Sequence, residues 1–301
     1  MFIPKRSKLM KNIPLVRPNA ILIIFISALS ILGIDNQLLA QEYKIKTIVI
    51  DAGHGGKDGS TRGLYSTEKD VALKTALRLG KLIQDSLKDV KVIFTRQDDT
   101  FIPLYERIAI ANNAKADLFI SIHCNDMPVY GTRYISGYTR NKKGKKVPIY
   151  KTRYAKSTST KGVETFVSGS GRVNEQDAAI KRENASIFLE DNYKENYDGF
   201  NPDDPESAII LSLMKNTFRT QSLKLAKLVQ DEYIQVGRIN RGVQEKSLAV
   251  LARAGMPAIL TEIGFISNPG EEDYMNSEAG QKEITNCLLK AIEAYKVSVE
   301  I

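Results

Sequence analysis

Histidine and cysteine are scarce in this chain, two of each in 301 residues. Two cysteines cannot make the disulfide framework of a small secreted domain. Cys287 lies in EITNCLLKAIEAY beside Leu288, Ala291 and Ile292, where it reads as a small buried hydrophobe. No bond between it and Cys124 is expected. Long apolar runs are also missing. The stretch ILIIFISALSILGI, residues 21–34, is fourteen residues long, against ~20 for a membrane span. It follows Lys5, Arg6, Lys8, Lys11 and Arg17 and precedes Leu38-Leu39-Ala40. That is the layout of a secretory signal peptide, with residues 1–40 removed and the remainder exported to the periplasm or cell envelope.

Other motifs are absent too. There is no GxSxG elbow for a serine hydrolase. The segment GHGGKDGS lacks P-loop spacing, and a dinucleotide fingerprint would need glycine at Asp58. An exported chain also has little access to nucleotides, so no nucleotide partner is expected. The surplus of positive charge is +8, from 43 Lys/Arg against 35 Asp/Glu. Five bases and one acid fall in the first forty residues, so a surplus of only +4 remains after them. That is too mild to support nucleic-acid binding.

What is present is a sequence of strands and helices. KTIVIDAG (46–53), VKVIFTR (90–96), DLFISIH (117–123), GVETFVS (162–168) and PAILTEIGF (257–265) are β-branched, apolar runs with strand character. Between them, Leu73, Ala76, Leu77, Gly80, Ile83 and Leu87 mark one face of a helix. Thr67 and Asp70 read as its capping box, which puts Glu68 in its first turn. PLYERIAIANNA starts a helix at Pro103, SLKLAKLVQDEYIQV makes another, and 279–296 closes the chain. The alternation predicts one α/β domain over residues 41–301, a mostly parallel sheet with helices on both faces. Two segments interrupt it. Residues 133–161 hold ten Lys/Arg and no acid, and residues 190–206 hold seven acids and one lysine. Loops of this length are usually functional or mobile.

Ligands of open parallel α/β sheets bind at the carboxyl ends of the strands. His54 follows the first strand, His123 ends the third, Glu262 ends the last, and Glu68 opens the first helix. Each histidine alone would more often be a hydrogen-bonded structural residue, and Glu68 alone a charge favoured by the helix dipole. Together they predict a metal site. Two histidines and one glutamate make a Zn²⁺ centre with an open position. A second carboxylate must then carry the proton to a leaving amine, and Glu262 is the candidate.

With those residues in view, the chain resembles the zinc-dependent N-acetylmuramoyl-L-alanine amidases of the Amidase_3 family. The matching pieces are IVIDAGHGGKDG, Ser66-Thr67-Glu68-Lys69, Glu106-Arg107 with Ala111-Asn112, ADLFISIHCND, GVETF, Asn240-Arg241-Gly242-Val243 and VLARAGMPAILTEIGFISNP. The resemblance implies His54, Glu68 and His123 as zinc ligands and Glu262 as the catalytic glutamate. It implies one Zn²⁺ per chain and hydrolysis of the amide between N-acetylmuramic acid and L-alanine, in wall turnover or daughter-cell separation. Asn125 and Arg107 are the expected substrate contacts. Departures are Asp58-Gly59-Ser60, where the family often has Asp-Pro-Gly, and Cys124, where Ala is commoner; the Cys124 thiol is expected to point away from the metal.

Residues 174–216, with REN at 182–184 and DPESAIILSL at 204–213, resemble the blocking segment of Gram-negative cell-division amidases. The resemblance implies an acidic helical lid over the site, released by a partner carrying a degenerate LytM domain. The basic insertion offers positive charge to the carboxylates of peptidoglycan stem peptides. Two rivals stay open: a zinc peptidase that cuts peptide crosslinks, and a wall-binding homologue without activity.

Overall fold

Thr47–Ala52 forms β1, and every residue after Thr47 is buried. β-Branched residues at 47–50 suit a strand covered on both faces. The computed structural model describes residues 44–127, 131–154, 158–169, 178–196 and 218–300. The expected leader, 1–40, and the stretch 204–213 lie outside these.

From β1 the chain runs through α1 (Glu68–Ser86), β2 (Lys91–Phe94), α2 (Leu104–Asn113) and β3 (Leu118–Asn125). A hairpin follows, β4 (Gly131–Arg140) and β5 (Lys146–Tyr154), then β6 (Val163–Ser168). Helix α3 (Ala178–Asn184) runs straight into a 3-10 turn, Ala185–Leu189. The chain ends with α4 (Arg219–Gln235), β7 (Asn240–Lys246), β8 (Ala258–Phe265), α5 (Pro269–Asn276) and α6 (Glu278–Val299). The main sheet has the order β2-β1-β3-β8-β6-β7. Neighbours are parallel except β6 and β8, which are antiparallel. This is the mostly parallel α/β domain expected.

One face of the sheet buries Ile48, Ile50, Ile120 and Ile122 against Val71, Leu79, Val229 and Ile292 of α1, α4 and α6. The other buries Val49, Phe119, Phe166 and Leu260 against Ile108 of α2, Leu251 and Ile187. Cys124 and Cys287 both lie in the first core and are unbonded. No helix among the described residues is long and apolar enough to cross a membrane.

Three details differ from expectation. Asn240-Arg241-Gly242-Val243 opens an edge strand, β7, which its polar composition conceals. Thr67 is the N-cap of α1 but makes no side-chain cap bond. Its hydroxyl donates to the Asp70 carboxylate instead, and the Asp70 N–H bonds the Thr67 carbonyl, so the side-chain cap is not made. The basic insertion is not a loop through most of its length but the regular ribbon β4–β5.

Candidate metal centre

The strand register builds one row of the site. His123 on β3 stands opposite Glu262 on β8, and Glu262 opposite Glu164 on β6. Opposed residues share a face, so three functional side chains line up across three strands. Cys124, the next residue along, faces the opposite core, as expected. Its N–H donates to Glu68 Oε1 at 3.1 Å.

His54 comes from the loop after β1, in left-handed backbone with φ of 57°. That conformation is uncommon for any residue except glycine. Two buried arginines hold the loop. Arg107 donates to Asp51 Oδ1 at 2.8 Å, to the Ala52 carbonyl at 2.7 Å and to the His54 carbonyl at 2.7 Å. Arg96 donates to the carbonyls of Ala52, Gly53 and Lys69 at 2.9, 2.8 and 2.8 Å. Arg107 is 1 % exposed. The expectation that it touches substrate is therefore corrected: its guanidinium turns inward and is spent on the loop. Gly53 is needed for close approach, because a Cβ there would lie 2.4 Å from Nε2 of His123.

Glu68, at the start of α1, is fully buried and reaches both rings. Its Oε1 lies 3.2 Å from Nε2 of His54 and 3.0 Å from Nδ1 of His123. The ring centroids are 4.8 Å apart. A fourth group joins them: Glu183, from α3, places Oε2 2.8 Å from Nδ1 of His123 and 3.6 Å from Nε2 of His54. One ligand atom from each of His54, Glu68, His123 and Glu183 lies within 4.8 Å of all the others.

The residues fit a metal ion. Nδ1–H of His54 donates to Asp58 Oδ2 at 2.8 Å, which leaves the Nε2 lone pair aimed inward. That Nε2 is buried without a hydrogen-bond partner, and Glu183 Oε2 faces only the His123 Nδ1 that Glu68 Oε1 also approaches. Buried orphans of this kind are costly, and a shared cation satisfies both. A tetrahedral site with bonds of ~2.0–2.2 Å spaces its ligand atoms by roughly 3.3–3.6 Å, close to the separations found. Asp58 is the carboxylate partner that orients a ligating histidine.

Electrostatics agree. Burial pulls the His54 imidazole down, but Glu68 and Asp58 more than offset it, lifting it to about 9. Burial opposes charge on His123 as well, and Glu183 overcomes it. Burial raises Glu68 and the two imidazoles hold it well below its ordinary value. The carboxylates thus favour positive charge on or between the two imidazoles, which a bound cation would also supply. Glu262 goes the other way. Burial, then repulsion from Glu183, push it well above the usual carboxylate range. Its Oε2 is buried without a partner, while Oε1 lies 3.4 Å from Arg182.

Asn125 is also buried, donating to Glu164 and accepting from Arg182 at 3.2 Å. It edges a groove of about 210 Å³ lined by Glu164, Arg182, Arg241 and Lys246. Glu183 and Glu164 were not singled out individually in the sequence. The signals were the REN triplet and the GVETF run that contain them.

Comparison with known proteins agrees with this geometry. The family model for N-acetylmuramoyl-L-alanine amidase, Amidase_3, matches residues 48–294. The amidase AmiC of Escherichia coli O6:H1 is 30% identical over 250 residues, covering 82% of this chain and 52% of its own length. AmiA of Escherichia coli K12 is 27% identical, covering 83% of this chain and 76% of its own length. This chain therefore spans about half the length of its AmiC relative. A crystal structure of an N-acetylmuramoyl-L-alanine amidase from Clostridium difficile superposes with a TM-score of 0.56 at 25% identity, over 85% of this chain and 99% of that one. With the family model covering most of the sequence and the cluster in place, the chain belongs to the Amidase_3 family of N-acetylmuramoyl-L-alanine amidases.

Proposed function

We infer that this protein is an exported zinc amidase that hydrolyses the bond between N-acetylmuramic acid and L-alanine in peptidoglycan. The observation that carries this is the buried His54–Glu68–His123 cluster with Glu262 beside His123 in register. Zn²⁺, when bound by His54, Glu68 and His123, supplies Lewis acidity to a carbonyl and lowers the pKa of a water. The chain's own residues supply the proton transfers. Glu262 Oε2 accepts a proton from the attacking water and delivers it to the departing alanine nitrogen. A carboxyl raised in pKa by burial suits both halves of that task. Asp58 keeps the His54 ring in one tautomer, and Arg107 and Arg96 hold its loop.

Glu183 gives this site a closed resting form. Its carboxylate takes the position that a substrate carbonyl or water needs. Arg182 beside it engages Glu262 and Asn125. The segment is anchored on three sides. Asn184 donates to the Ser247 carbonyl at 3.0 Å and accepts from the Ala249 N–H at 2.9 Å. Ser186 donates to Asp58. Glu190 accepts from the Leu104 N–H at 2.7 Å. Release then requires a partner, and the resemblance to cell-division amidases points to one with a LytM domain. Daughter-cell separation in the periplasm is the setting this implies.

The test is product analysis. Purified sacculi treated with the zinc-loaded Glu183→Ala variant should yield glycan strands without stem peptides and free peptides beginning with L-alanine. Split crosslinks with peptides still on the sugars would instead identify a peptidase. No released product, with or without zinc, would identify a wall-binding homologue.

A further inference from the structure

The ribbon β4–β5 has no role in the chemistry above, yet it concentrates charge. Between Gly131 and Tyr154 there are eight Lys/Arg and no Asp or Glu. The surplus after residue 40 is +4, so without those eight the rest of that portion is net −4. The charge is local to this element.

The register sorts its side chains. Ile135 opposes Tyr150, Tyr138 opposes Pro148, and Arg140 opposes Lys146, with an extra residue at Ser136. One face thus carries Arg133, Ile135, Tyr138, Arg140, Lys146 and Tyr150. Here each tyrosine is paired with a cation: Arg133 lies 3.9 Å from the Tyr150 ring centre and Lys146 4.4 Å from that of Tyr138. The opposite face carries Tyr134, Ile149 and Lys151, and the tip Lys142, Lys143 and Lys145. Tyr134, Ile135, Tyr138, Ile149 and Tyr150 are each 40–55% exposed. A two-stranded ribbon is marginal by itself in water. Ten residues of strand also reach about 30 Å.

We propose that this ribbon is a substrate-retention arm that binds the polyanionic peptidoglycan network away from the metal centre. The proposal rests on peptidoglycan being the substrate. Stem peptides present carboxylates, and the arm presents cations backed by tyrosine rings. The distribution of those cations decides the class of partner. A membrane is a plane and meets one face of a ribbon. Cations on both faces and around the tip match a mesh that surrounds the arm.

The experiment is co-sedimentation with purified sacculi, carried out on the full chain in a Glu262→Gln background so that the matrix is not consumed. The arm variant replaces Arg133, Arg140, Lys142, Lys143, Lys145 and Lys146 with Gln. At about 0.01 M salt, where screening extends ~30 Å, it should bind about 10-fold more weakly than its parent. Near 1 M salt, with screening at ~3 Å, the two should converge. Replacing the four lysines with arginine should retain binding, which separates charge from misfolding. Equal sedimentation of parent and Gln variant at low salt overturns the proposal. So does retention on phosphatidylglycerol vesicles with none on sacculi. Turnover of soluble disaccharide-peptide by the Glu183→Ala variant is read separately, so failure of the amidase reading shows there and not in the sedimentation.

Discussion

His54 and His123 illustrate how a rare residue becomes informative. Two imidazoles in 301 residues, each at a strand's carboxyl end and joined there by carboxylates, nominate a metal site. The fourth member was harder to read, because Glu183 lies on a separate helix whose packing no local pattern reveals. Arg107 was misread for a related reason: a motif arginine looks the same whether it faces solvent or, as here, a buried carboxylate. Asp51, its partner, is a test of that burial. Burial raises Asp51, but Arg107, Ser121 and Thr95 outweigh it, so its folded pKa lies below its ordinary value. Its contribution is present above about pH 4 and lost as pH falls through the lowered folded value. Asp51→Asn should therefore cost about 3–5 kcal/mol near neutrality, with a smaller difference in acid, as read by urea unfolding at several pH values. Gly53→Ala should displace His123 and weaken metal affinity by about 10–100-fold, measured by competition with a chelator while circular dichroism stays native. Glu262→Gln should keep the ion and lose about 10²–10⁴ in turnover; loss of the ion would make Glu262 a ligand.

Strands and long helices were legible because their apolar periods are strong. β3 and β8 are buried at every position and open on apolar, β-branched runs. β7 was missed because NRGVQEK at a sheet edge has no such run. Helix α3 gains its place from tertiary bonds, not from its own pattern, and those bonds are the basis of a prediction. Asn184→Ala removes two anchors of the α3 segment without altering the cluster. At about 1–3 kcal/mol for buried groups left unpaired, it should raise turnover on sacculi while metal content is unchanged. Unaltered turnover would show that the segment does not restrain the enzyme.

The domain as built places three distinct features on one frame. The central strands hold the reactive groups, α3 brings Glu183 against them, and the basic ribbon lies outside the chemistry. The α/β class was legible from alternating strands and helices. The hairpin was not, because its basic composition resembles a solvated loop and its pairing depends on register. Both cysteines are buried and unbonded, so reductant should leave the unfolding midpoint unchanged. Glu183 is proposed to close a metal centre that it does not build. Dye release from labelled peptidoglycan decides this, run on the intact chain and on Glu183→Ala with zinc counted in both. One ion per chain is expected in each, with a rise in rate of about 5–150-fold in the variant. A variant that loses its ion, or works no faster than the intact chain, would contradict it.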